Sequence, residues 1–261
     1  MNKCIRELIV YRELLYMIAW REIKIKYKQS VMGFLWAILM PILIISAGVL
    51  VKVGLAKFSG KPLILSEMLT VSVKALPWSF FISSIRFGTN SLTANSNLVT
   101  KIYFPKEIFP ISSVLSQLFD FMIASCTLII ILSIAKIGVS IYLLWVPVLL
   151  VILILLGAGL GIFLSAANLF FRDVKYLVEV FVTFAIFFTP VFYEAEMAGK
   201  WEWLLLLNPV APILEGLNYC IVLHQMPKVG WVLYSGIVAF TGIILSMAMF
   251  KKLEPKFAEN I

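Results

Sequence analysis

Histidine is almost missing: His224 is the only one in 261 residues. No metal site or proton relay can be built on histidine pairs, and a lone His reads as a surface or packing residue. Cysteine is scarce too. Cys4, Cys126 and Cys220 stand far apart, with neither metal-ligand spacing nor an obvious disulfide pair. Charge is low, with 14% of residues Asp, Glu, Lys or Arg, against roughly 25% in average soluble domains. Acidic groups are the rarer sign, 14 against 22 basic ones. Catalytic signatures are missing as well. There is no HExxH, no nucleophile elbow and no paired acidic cluster. The nearest approach to a phosphate-binding loop, GLAKFSGKP at 54–62, has one residue too many between its glycines, and Pro62 replaces the hydroxyl. No internal repeat of the kind that marks many secondary carriers is visible. Energy for any uphill movement must then come from a partner or an ion gradient. The first 28 residues are charged throughout, so no secretory leader is expected there and the first span should insert uncleaved.

What is abundant is apolar sequence: 62% of the residues are hydrophobic. The chain reads as an all-α polytopic membrane protein. Its net charge of +8 would suggest nucleic acid in a soluble protein; here it reflects loops that collect Lys and Arg on the cytoplasmic side. The stretch WREIKIKYKQSVMGFLWAILMP at 20–41 shows the pattern most clearly. Arg21, Lys24, Lys26 and Lys28 form a basic collar, and from Val31 the charges stop for about 20 residues, enough to cross a bilayer. Ser30 suits a helix N-cap, and Pro41 should kink the span.

Residues 1–30 read as a cytoplasmic amphipathic interface helix. Ile5, Leu8, Ile9, Leu15, Tyr16, Ala19 and Ile23 share a broad apolar face, on which Arg12 and Lys26 intrude. It lies in the headgroup layer or docks on a partner. Residues 31–250 hold six expected spans, at about 31–52, 71–93, 108–135, 141–169, 177–193 and 231–250, and 251–261 form a basic cytoplasmic tail. The second span is the most polar, with Lys74, Arg86, Asn90 and several serines, so it should face other helices or a water-filled path. Gly157, Gly159 and Gly161 in the fourth should let helices approach closely. Between 194 and 230 two apolar pieces, 201–207 and 212–223, are too short to cross. They read as two short re-entrant outer helices, with an irregular outer loop as the alternative. Asn208-Pro209 should start the second of them. With both termini cytoplasmic, about twice as many Lys and Arg fall on inner segments as on outer ones. Arg86 and Asp120 lie about 15 and 20 Å in from the inner turn, close enough to pair, with Glu179 as the competing partner. Alternatively, Arg86 faces a pathway and meets an anionic substrate.

Four stretches carry a family resemblance: WREIKIKYKQSVMGFLWAILMP, SNLVTKIYFPKEIFPISSVL, NLFFRDVKYLVEV and LNPVAPILEGL. Together they resemble the signature segments of ABC-2 type permeases that export O-antigen, capsule or teichoic acid, and they are collinear over nearly the whole chain. The resemblance implies a homodimeric channel in the bacterial inner membrane, with two copies of a separate ATPase below it. The permease itself is then no enzyme and needs no cofactor, since ATP and Mg bind to the partner. The segment at 95–105 corresponds to the coupling helix, and 171–176 to a second, smaller contact. That makes Asn97, Leu98, Lys101, Tyr103, Phe104, Arg172 and Asp173 the coupling residues. The pieces at 201–223 correspond to outer gate helices, with Trp201, Trp203, Asn208 and Pro209 as gate residues. Lys74 departs from what the pattern explains.

The implied substrate is a lipid-linked polysaccharide, O-antigen first. Teichoic acid, capsule or a small drug-like or lipid-like molecule are the alternatives. A sugar chain offers hydroxyls and apolar C–H faces, which flat aromatic rings suit. Phe34, Trp36, Trp78, Phe80, Phe81 and Phe87, together with Arg86, are the pathway candidates, although aromatic rings also belt membrane interfaces and face lipid. An enzyme acting on lipid carriers is disfavoured by the missing acid, base and metal groups.

Overall fold

The computed structural model describes residues 2–28, 35–59, 65–101 and 104–259. Ser30, Phe34 and Tyr103 lie outside the described residues. Every regular element among the described residues is helical. The N-terminal segment, expected as one helix, is two: α1 (Asn2–Val10) and α2 (Arg12–Lys28) meet at Tyr11. Next come α3 (Leu35–Ser59), α4 (Leu65–Ala94), the short α5 (Ser96–Lys101) and α6 (Ile108–Ile134). A 3-10 turn over Ile141–Leu144 leads into α7 (Trp145–Phe170), followed by α8 (Val174–Ala185). Beyond a 3-10 segment at Ala195–Trp201 lie α9 (Glu202–Leu206), α10 (Ala211–Ile221) and α11 (Val229–Leu253). A final 3-10 turn covers Glu254–Glu259.

Four helices among the described residues are long and apolar enough to cross a membrane: Ser66–Ala94, Ile108–Ile134, Ile141–Phe170 and Val229–Phe257. The two other expected crossings are less regular. In α3 the strongly apolar part is Ile38–Gly54, and the helix runs through Pro41 as one element. The expected span at 177–193 is a 12-residue helix, α8, followed by turns. Twelve residues rise only about 18 Å, short of a hydrocarbon core about 30 Å thick.

At the centre stands α4, which packs on α7, α6, α3 and α10. Its most apolar window is 78% buried, whereas that of α6 is 17% buried. This is where a helix rich in Ser and Thr, and carrying Lys74 and Arg86, belongs, because lipid cannot satisfy polar groups. Small residues make the close crossings possible. A Cβ on Gly88 of α4 would come within 2.9 Å of the Gly161 Cα on α7. One on Gly157 would meet the Ser84 Cβ at 3.2 Å, and one on Gly159 the Ile243 backbone of α11 at 3.2 Å.

A second apolar cluster sits at the α5 end of the bundle. It joins Ile18 of α2, Val99 of α5, Phe104, Phe109, Leu169 and Phe250. The C-terminal segment, expected as a basic cytoplasmic tail, contributes Phe257 to this cluster. Phe257 is fully buried between Phe250 and Phe170, with ring centroids 5.0 and 5.9 Å away. Glu254 accepts a hydrogen bond from the Lys106 backbone N–H at 3.3 Å, and Lys251 pairs with Glu7 of α1 at 2.7 Å.

Candidate permeation site

One face of α4 builds a cavity among the described residues. Leu76, Ser79, Phe80, Ser83, Arg86 and Phe87 recur at the three- and four-residue spacing that keeps side chains on one side of a helix. Opposite them stand Trp36, Met40, Pro41 and Ile44 of α3 and Gln117, Asp120, Phe121 and Ala124 of α6, with Lys26 and Tyr27 of α2 beside them. Its volume is about 540 Å³, and it opens to the outside. Its wall combines aromatic rings with hydroxyl, amide and charged groups. Phe80 packs on Phe121 with centroids 5.2 Å apart.

Of the two partners that the sequence offers Arg86, the structure gives it Glu179 and not Asp120. Arg86 bonds Glu179 of α8, its Nε donating to both carboxylate oxygens at 2.7 and 2.9 Å. Asp120 is taken instead by α2, accepting from Lys26 Nζ and from the Tyr27 hydroxyl. Depth along the span placed Arg86 and Asp120 at similar levels, but rotation about the helix axis decides partners. Lys26, which looked like an intruder on an apolar face, points there because Asp120 receives it. Lys26 Nζ also lies 5.4 Å from the Phe87 ring centroid.

Further contacts fasten α2 along the bundle. Arg21 donates to the Asn95 side-chain oxygen, while Asn95 Nδ2 donates to the Ser91 carbonyl at 2.8 Å. The Asn95 carbonyl in turn accepts from the Leu98 and Val99 amides, so the residue holds the joint between α4 and α5. Glu22 accepts hydrogen bonds from Ser113 at 3.1 Å and Ser112 at 3.5 Å. Burial pushes its carboxyl above the usual carboxylate range, against the opposing pull of those hydroxyls and of Arg21.

At the α10 end, Lys74 of α4 is fully buried and reaches Glu215 of α10 at 2.9 Å. The same ammonium donates to the Tyr193 carbonyl at 3.1 Å, and the Ala195 amide donates to the same Glu215 oxygen at 2.8 Å. This accounts for the lysine that the sequence pattern left unexplained. Nearer the surface, Lys228 bridges Glu202 at 2.6 Å and Glu196 at 3.1 Å, and Tyr219 donates to Glu196.

At the α5 end a groove of about 350 Å³ is lined by Asn90, Thr93, Ser96, Asn168, Arg172 and Lys175. Asn168 is buried and ties three elements together. Its Nδ2 donates to the Thr89 carbonyl at 3.1 Å, and its Oδ1 accepts from the Lys175 amide at 3.2 Å. Sequence reasoning missed it. The available signal was an amide in the last turn of an otherwise apolar helix.

A family model for ABC-2 type transporters matches residues 13–222, from the start of α2 to just past α10. The chain belongs to the ABC-2 type transporter family. It is 29% identical over 249 residues to an O-antigen export system permease protein RfbA of Klebsiella pneumoniae, covering 95% of this chain and 94% of the relative. A second Klebsiella pneumoniae protein of the same name is 26% identical over 252 residues, with the same coverage. One from Myxococcus xanthus is 28% identical over 271 residues, end to end in both chains.

In this ABC-2 chain the expected pathway residues divide. Trp36, Phe80, Arg86 and Phe87 line the cavity. Trp78 and Phe81 do not. They are buried against each other, 5.9 Å between centroids, and Phe81 lies on the α7 side near Gly157. A shift of one residue turns a helical side chain by about 100°, which separates Phe80 from Phe81. Of the expected coupling residues, Asn97, Lys101, Arg172 and Asp173 are exposed, and Leu98 is half-buried. Phe104 is buried against Phe109 at 5.4 Å, so it supports α5 from below and presents no surface. Among the expected gate residues Trp201 and Trp203 are exposed. Asn208 donates to Thr189 at 2.8 Å and accepts from the Val210 amide. The proline at the start of α10 is Pro212, not Pro209, because the turn after Asn208 runs two residues longer than expected.

Proposed function

We propose that this chain is the permease subunit of an ATP-driven exporter of lipid-linked polysaccharide, with O-antigen as the polymer. The observation that carries the reading is the cavity on α4. Trp36, Phe80, Phe87 and Phe121 offer flat apolar faces, and Ser79, Ser83 and Gln117 offer hydrogen bonds, a combination suited to sugar rings. Family membership and relatives named as O-antigen export permeases support the same substrate class.

In this reading the chain crosses the inner membrane six times. α3 is the first span, α8 with the turns after it the fifth, and both termini are cytoplasmic. Two copies form the channel, since one subunit has little room for a polymer beside its packed core. A separate ATPase binds nucleotide and magnesium and pushes on α5, where Asn97 and Lys101 are presented, and on the turn bearing Arg172 and Asp173. α9 and α10 close the outer end, with Trp201 and Trp203 at the membrane boundary. Asn95 relays movement of α5 to α4 and, through Arg21, to α2.

Deleting the gene and probing the cell surface with an impermeant label for the polysaccharide tests this. Loss of surface polymer with accumulation inside, restored by the intact gene, is the expected result. Unchanged surface polymer in the deletion strain would overturn the proposal.

A further inference from the structure

Two lysines are buried at the α10 end of the bundle, and only one of them is bonded. Lys74 of α4 holds Glu215 and the Tyr193 carbonyl. Lys52 of α3 is 4% exposed, and among the described residues it makes no ion pair and no hydrogen bond. A buried ammonium without a carboxylate is costly, because nothing replaces the hydration that it gives up. One turn before Lys52, Gly48 marks the crossing of α3 and α4. A Cβ there would collide with the Val71 side chain and stand 3.1 Å from the Phe192 ring. The chain just after Phe192 carries Glu194, which is half-buried and, among the described residues, also in no ion pair. The charges of Lys52 and Glu194 both act on Lys74, in opposite senses. Two cations and two carboxylates therefore share this end of the bundle, and a single pair, Lys74 with Glu215, is made among them.

We propose that Lys52 and Glu194 are the second seats of that pair: when α10 moves off α4, Glu215 passes to Lys52 and Lys74 takes Glu194. The inference rests on the permease reading given above and adds the residues that let the outer end open. If α9 and α10 close that end, a polymer leaves only when α10 shifts, and the buried pair that fixes it must part. Parting with nothing to receive the charges would strand both in a dry interior. Lys52 and Glu194 remove that penalty, since each abandoned charge meets an opposite one. Glu194 lies between the two backbone groups already bonded to the pair, the Tyr193 carbonyl on Lys74 and the Ala195 amide on Glu215. That position keeps its carboxylate beside Lys74 whichever way the loop turns. Lys52 is thus a positioning residue that is idle at rest and engaged in the opened form. The exchange makes and breaks ion pairs only.

Opposite effects on stability and on export are the signature. Lys52→Met takes an uncompensated charge out of the resting protein and removes the seat needed for opening. In phosphatidylcholine nanodiscs the full-length variant should melt about 2 °C or more above the wild type, whereas the same change at Lys74 lowers melting. Surface polysaccharide, measured in a strain lacking the chromosomal gene, should fall about tenfold or more with Lys52→Met. Lys52→Arg keeps a cation there and should export within about twofold of the wild type. Glu194→Gln should melt within about 2 °C of the wild type and reduce export about threefold or more.

An unchanged or lower melting temperature for Lys52→Met would show an ammonium already compensated at rest, and would overturn the proposal. Full export by Lys52→Met or by Glu194→Gln would overturn it too, because opening then uses no second seat. So would failure of Lys52→Arg to restore export, since any cation should serve. Each of these results leaves the permease reading standing. Unchanged surface polymer in the deletion strain removes the permease reading itself, whatever the melting curves show.

Discussion

Lys74 and Glu215, 141 positions apart in the chain, form a buried ion pair 2.9 Å long that fixes α10 to α4. The chain between Tyr193 and Ala195 is tied to the same two groups. Breaking such a pair from one side leaves an uncompensated charge in a dry interior and costs about 3–5 kcal/mol. Lys74→Met should lower the melting temperature of the detergent-solubilised protein sharply, and Glu215→Gln somewhat less, because the amide oxygen still accepts from Ala195. Lys74→Met combined with Glu215→Leu should lose much less than the two single losses added. Additive losses in a thermal-melting cycle would argue that the groups act separately.

The crossing of α4 and α7 depends on two glycines. At Gly88 an added methyl group would stand 2.9 Å from the Gly161 backbone, which cannot swing aside as a side chain can. Gly88→Val should destabilise by about 1–3 kcal/mol, the usual cost of forcing extra volume into a packed contact. Gly242→Ala on α11 meets nothing within 4 Å and should be neutral or gain up to about 1 kcal/mol from helix propensity. Melting curves of the two variants, run side by side, check the contrast.

Two helix ends use non-glycine residues in the left-handed conformation. Lys136 has φ 56° and His224 has φ 53°. In each case the amide of the following residue closes the turn, Ile137 on the Leu132 carbonyl at 3.2 Å and Gln225 on the Tyr219 carbonyl at 2.9 Å. Glycine adopts this conformation without the side-chain penalty of about 1 kcal/mol. Lys136→Gly should therefore raise stability by up to that amount, read as a rise in melting temperature. For the only histidine of the chain, the geometry gives a job in the backbone turn.

Four long apolar helices and the central position of a polar one were legible from hydropathy and charge. The choice of ion-pair partner was not: Glu179 could be named as a competitor for Arg86 but not preferred. Depth along a helix can be counted from sequence, but the direction a side chain faces depends on where the neighbouring helix lies. Arg86 shares a depth with Asp120 and yet turns toward α8. Trp78 and Phe81 look as suited to a sugar path as Phe80, and only rotation about α4 excludes them from the cavity. Lys74 had no legible partner because Glu215 lies on a half-length helix whose placement no local pattern fixes.

Glu22 makes the stability of α2 docking depend on pH. Burial raises its folded carboxyl above the unfolded value, so its contribution is fully present in acid and is lost as pH rises through the folded value. Glu22→Gln keeps an oxygen for Ser113 and carries no charge. The variant should melt at a temperature less dependent on pH through the mildly acidic range, and should exceed the wild type near neutrality. Parallel pH–melting curves for the two proteins would reject the assignment.

Export and stability should separate at α5. Phe104→Ala empties a buried site and should cost about 3–5 kcal/mol in melting experiments. Asn97→Ala and Lys101→Ala alter exposed side chains and should melt within about 0.5 kcal/mol of the wild type. On the permease reading both should nonetheless reduce surface polysaccharide in cells. Full export by the double variant would remove these residues from the coupling surface.

The seating of Phe257 between Phe170 and Phe250 has a practical side for anyone handling this molecule. Because the segment at Glu254–Glu259 folds back beside α5, a purification tag or fluorescent reporter joined just after it would emerge next to the surface that a motor subunit should grip. Fusions there ought to be compared with reporters carried elsewhere before an inactive transporter is blamed on a mutation.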